Sequence, residues 1–89
     1  ARIYNAIGTL FNYKKEYATA TPYLEKGLTL APDYDILKKN LIVNYFRTER
    51  YRDCINISES LNIEDNKTLK AMYLKSFELE LLQQNPDWK

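Results

Sequence analysis

The chain contains no histidine, one cysteine, two glycines and three prolines in 89 residues. Without histidine it lacks the usual general base, the commonest metal ligand and every Ser-His or Cys-His pair. A single cysteine cannot close an internal disulfide. That leaves the compartment open, tips the expectation toward a reducing cytoplasm, and does not exclude the periplasm. With 13 lysines and arginines against 12 acids, a net charge of +1 offers no electrostatic footprint for nucleic acid or an anionic membrane. Apolar runs are short and broken by charge, so nothing reads as a bilayer span, and no leader peptide pattern opens the chain.

The residues that are present describe an ordinary globular composition, 45% hydrophobic and 28% charged, sufficient for one domain with a modest core. Ile3, Tyr4, Ile7, Leu10 and Phe11 follow the i, i+3, i+4 spacing of an amphipathic helix, as do Tyr17, Ala20, Leu24, Gly27 and Leu28. The spacing and the turn residues predict helices over 1–13, 17–30, 35–48, 51–61 and 68–84. Ala31-Pro32-Asp33 breaks the pattern, with Asp33 as a cap, and Glu64-Asp65-Asn66 does the same later. No alternating strand pattern occurs, so the expected class is all-α. Pro22 falls inside the second helix, where a slight bend is expected.

The chain opens at Ala1 without methionine, and Asn85-Pro86-Asp87-Trp88 reads as the start of another helix. The expectation is therefore a segment of a longer protein, with a sixth helix to follow. Both glycines, Gly8 and Gly27, stand inside helical segments, where each costs roughly 1 kcal/mol against alanine. Close packing is the expected compensation. Gly8 would face Ala20, and Gly27 would admit the third helix.

Tyr4, Ile7, Gly8, Phe11, Ala20, Leu24, Gly27 and Pro32 fall at the spacings W-x2-L-G-x2-Y, A-x3-F, a small residue and P. A stride of 34 residues leads to Lys38, Leu41, Ile42, Tyr45, Cys54, Ser58, Leu61 and Asn66, and another to Met72, Lys75, Ser76 and Leu79. The pattern resembles the tetratricopeptide repeat family. The match is close in the first repeat, partial in the second, and confined to the first helix of the third. Expected boundaries are 1–34, 35–68 and 69–89, giving an α-solenoid of antiparallel helix pairs in about two and a half repeats. Lys38 and Lys75 take apolar positions, so their stems must run past the core to solvent. Lys15 and Glu49 replace the glycine usual between paired helices, where a left-handed backbone carries a cost.

The resemblance implies a concave groove lined by the first helix of each pair. The residues so placed include Asn5, Thr9 and Tyr13, then Ile36, Lys39, Asn40, Val43, Phe46 and Arg47, then Lys70, Tyr73 and Phe77. An apolar strip flanked by Lys39, Arg47 and Lys70 suits a peptide or helix of acidic character. The narrower carboxylate clamp of some family members keeps Asn40 and Lys70 but departs at Asn5, Thr9 and Leu74, which argues against it. Cys54 takes a small core position and has no base nearby in type, so no catalysis is expected, and no metal or cofactor. The implied partner is a protein or peptide. The alternative is a spacer or input domain whose groove is filled by its own parent chain.

Overall fold

The computed structural model describes residues 1–84, which form five helices. They are α1 (Arg2–Tyr13), α2 (Tyr17–Leu30), α3 (Asp35–Arg47), α4 (Tyr51–Glu59) and α5 (Lys67–Gln84). The all-α expectation holds: no strand occurs among the described residues. The expected helix start at Asn85-Pro86-Asp87-Trp88 lies outside them. No described helix is long and apolar enough to cross a membrane.

Local chemistry sets the breaks. After α1, Lys15 takes a left-handed φ of 63°, and after α3, Glu49 takes 61°, 34 positions later. Each turn carries the same pair of backbone hydrogen bonds. Lys15 N donates to Asn12 O at 2.9 Å and Glu16 N to Phe11 O at 2.8 Å; Glu49 N donates to Phe46 O at 3.3 Å and Arg50 N to Tyr45 O at 2.8 Å. These are Schellman turns, which satisfy the last carbonyls of a helix and reverse the chain within three residues. The linker after α2 works differently. Asp33 does not cap α3, whose N-cap is Tyr34 without a side-chain bond, whereas Asn66 Oδ1 does cap α5, accepting from Leu69 N at 3.0 Å. Pro22 lies on the exposed side of α2, and the helix reads through it unbroken.

Helix α3 touches all four others, while neither α1 nor α2 touches α4 or α5. The radius of gyration is 13.0 Å, above the roughly 12 Å of a sphere-like chain of this length. The principal extents of 42, 27 and 20 Å show the elongation. The core follows the same line: Ala20 and Leu24 from α2, Leu37, Leu41 and Ile42 from α3, and Cys54 from α4 are fully buried.

Both glycines are buried at helix crossings. A Cβ added to Gly8 would run into the Leu24 side chain, one turn beyond the Ala20 expected there. At Gly27 it would run into Leu37 and come within 3.2 Å of Tyr4 Cβ, so this notch admits α3 and α1 together. Lys38 is buried as expected. Lys75 is not: it is exposed and donates to Glu78 at 2.7 Å.

The difference at Lys75 reflects a change of stride. Helix α4 spans 9 residues where α2 spans 14, and the linker after it occupies 60–66 where the first occupies 31–34. The net effect is that α5 begins 32 residues after α3. At that stride, buried Leu37 and Asn44 correspond to buried Leu69 and Ser76. The same stride maps Lys38, Leu41, Ile42 and Tyr45 of α3 onto Lys70, Tyr73, Leu74 and Phe77 of α5; of the residues expected in the core, Ser76 is fully buried and Met72 packs against the core, while Lys75 is exposed.

Candidate functional site

Side chains of α1 and α3 meet along a polar seam. Asn40 Nδ2 donates at 2.8 Å both to Asn5 Oδ1 and to Thr9 Oγ1. Deeper in, Asn12 Nδ2 donates to Asn40 O at 3.2 Å, and Asn44 Nδ2 donates to Asn12 Oδ1 at 3.0 Å and to Tyr17 O at 2.8 Å. Thr21 Oγ1 completes the run by donating to Asn44 Oδ1 at 2.7 Å. Asn44 is fully buried, and all its amide hydrogens and its oxygen are used. The structure thus brings Asn5, Thr9 and Asn40 together. Their polar atoms face one another, and Asn12, on the same arc of α1, belongs to the same network with Asn44 and Thr21, neither of which the sequence marks as a groove residue.

Between α3 and α5 the seam turns apolar. Phe46, Lys67, Thr68, Ala71, Met72 and Lys75 line an open hollow of about 580 Å³. Val43, Phe46 and Met72 are half-buried and packed against the core, so the floor of the hollow is held from beneath. Lysines rise on its α5 side. Lys39, Arg47 and Lys67 have no carboxylate within ion-pair distance among the described residues, whereas Lys75 is paired with Glu78. Ile36 and Tyr13 are open to solvent, at 58% and 86% exposure. Arg47 borders a second hollow, at the turn of the first pair, with Lys15, Tyr17 and Thr48.

The α5 residues expected in the groove lie elsewhere. Tyr73 lines a separate hollow with Glu59, Leu61, Asn62 and Ile63, on the α4 side. Its hydroxyl donates to Glu59 Oε2 at 3.1 Å, and its ring meets Phe77 edge-on at 5.2 Å. Lys70 Nζ reaches Glu64 at 3.0 Å. The shortened stride is the reason: it gives the place beside Phe46 to Thr68, Ala71 and Lys75. The shift was detectable only as a shorter apolar run in α4.

Five titrations are displaced, at Tyr45, Arg50, Tyr51, Cys54 and Tyr73, and three of them bear on the packing around the site. Burial, then the hydrogen bond and charge of Glu25, push the Tyr45 phenol well above its usual range. The hydrogen bond to Glu59 leads in raising Tyr73. Burial raises the Cys54 thiol against the opposing effect of the Ser76 and Ser58 hydroxyls, and its Sγ lies 3.6 Å from Ile42 O. A raised thiol pKa disfavours the thiolate, so Cys54 serves as packing. No group of three or more His, Cys, Asp or Glu side chains suited to a metal ion occurs among the described residues.

Comparison with known proteins yields no match, whether to a family model, a curated protein or a solved structure.

Proposed function

We propose that this chain is a non-catalytic protein-interaction segment built of tetratricopeptide-like helix pairs, whose first helices present a trough to a peptide or helix of a partner. The observation that carries the reading is the hollow between α3 and α5: an apolar floor at Phe46 and Met72, rimmed by cations that include Lys67, which has no ion-pair partner among the described residues. An apolar floor with a charged rim suits a ligand that buries one or two large side chains and carries acid beside them. Two features support the repeat. The same Schellman turn recurs 34 residues on, and slim residues mark the crossings of α1 with α2 and of α2 with α3.

The test uses a displayed library of random 12-residue peptides panned on the purified protein. Enriched peptides should contain acid next to an aromatic or aliphatic residue. Their affinity should fall about tenfold, close to 1.4 kcal/mol, on Phe46→Ala or Ala71→Arg, with the far-UV circular dichroism spectrum unchanged. Binders indifferent to both substitutions, or a library that yields none, would remove the hollow from consideration.

A further inference from the structure

We propose that the ligand of the hollow between α3 and α5 is an acidic helix of a partner protein, a step that rests on the hollow being the binding site. That helix would set two acidic side chains, two turns apart, against Lys67 and Lys75, with one large apolar side chain between them over Ala71.

Lys67, Ala71 and Lys75 recur at every fourth residue of α5, and all three line the hollow. At 1.5 Å and 100° per residue they climb about 12 Å along the helix while turning through only about 80°. They form one exposed row with a cation at each end and a methyl at its middle. Beside the row, Phe46 and Met72 supply the apolar floor. A slim residue in such a place is how this molecule lets helices meet: Gly8 receives Leu24, and Gly27 receives Leu37.

The lining disfavours an extended ligand. Phe46, Ala71 and Met72 carry no side-chain N–H or O–H, and the backbone of both walls is committed to helix. An extended peptide would lay its own amide and carbonyl groups on that floor without partners, whereas a helix arrives with them already bonded. The seam between α1 and α3 is richer in amides, but Asn5, Thr9 and Asn40 hydrogen-bond to one another.

The chain's own helix pairs use a different side. Phe11 of α1 stacks on Tyr23 of α2 at 5.7 Å, and the residue in the place of Phe11 on α5 is Phe77. Phe77 lies about 120° around the helix from Ala71, so a helix paired with α5 as α2 is with α1 would leave the row open. Nor are the two cations equivalent. Lys67 has no ion-pair partner among the described residues, and it opens a helix with no acid in its first turn, so the helix dipole adds to its charge. Lys75 is shared with Glu78. The acid facing Lys67 therefore contributes more to affinity.

The probe is a fluorescein-labelled, hydrocarbon-stapled helix carrying Glu-x3-Trp-x3-Glu, titrated by fluorescence anisotropy. Saturable binding is expected, weakened at least tenfold by Lys67→Glu, less by Lys75→Glu and not at all by Phe77→Glu. Changing the facing glutamate of the probe to lysine should restore the affinity lost with Lys67→Glu. A linear Glu-x-Trp-x-Glu peptide, which spans a similar distance when extended, should bind at least tenfold more weakly than the stapled helix. Tighter binding of the linear peptide, lost on Phe46→Ala, would overturn the helical ligand and leave the hollow as the site. Binding of the stapled helix that ignores Lys67→Glu would overturn the pairing of its acids. Binding of neither probe would remove both the helix and the hollow.

Discussion

Helix α1 places a glycine where helix propensity disfavours it, and its turn places a lysine where the backbone favours glycine. The first is compensated by packing and the second is not. Gly8→Ala would gain about 1 kcal/mol of propensity. The new methyl, however, meets the branched end of Leu24, Cγ as well as Cδ2, and that side chain is fully buried. Overpacking of that kind costs about 1–3 kcal/mol, so the variant should be net destabilised and melt lower. Lys15 and Glu49 run the other way. Each holds φ near +60°, at a cost of about 1–2 kcal/mol that glycine does not bear, partly offset by the about 0.4–1 kcal/mol of extra unfolded-state freedom. Lys15→Gly and Glu49→Gly should each raise the melting temperature by roughly 3–6 °C. Melting curves of the three variants read the contrast directly. A rise for Gly8→Ala, or a fall for both turn variants, would contradict it.

At the scale of elements, helix boundaries were legible because local chemistry decides them: the turns at Lys15 and Glu49, the break at Pro32 and the cap at Asn66 all act within a few residues. The lining of the site was less legible. A short α4 and a long linker nearly cancel in residue count, so the two-residue change in stride left the periodicity of α5 intact while exchanging Tyr73 and Phe77 for Ala71 and Lys75 beside Phe46. Asn44 escaped notice for a different reason. A polar residue on a helix reads as surface unless its partners are known, and these lie on two other helices. Replacing it tests whether the seam holds α1, α2 and α3 in register. Asn44→Leu keeps the volume but leaves Asn12 Oδ1 without its donor, while the Thr21 hydroxyl falls back on Tyr17 O at 2.9 Å. One buried orphan costs about 1–3 kcal/mol, and that is the loss expected in urea denaturation. Asn40→Ala, nearer solvent, should cost less than about 1 kcal/mol. Equal stability of Asn44→Leu and the parent would mean that apolar packing alone sets the register.

The whole molecule is held together through one helix. Because α3 is the only described helix in contact with all the others, opening either end exposes part of the core, whereas opening α3 exposes all of it. Stability in such an arrangement is graded, since an end helix can leave without breaking contacts at the far end. The α1 side is bound to α3 across a seam rich in hydrogen bonds. The α5 side keeps Leu74 and Phe77 in water, so the end helices lack one layer of burial each. Amide exchange should therefore be slowest at Leu41 and Ile42 in the middle of α3. It should be at least tenfold faster in the middle of α1 and around Leu74 in α5, a ratio equivalent to about 1.4 kcal/mol of local opening. Exchange measured residue by residue by NMR separates this from full cooperativity, in which the protected amides of all five helices would open with a single free energy. That second result would show that the contacts along the row act as one unit, and that a binder at either end must be felt at the other.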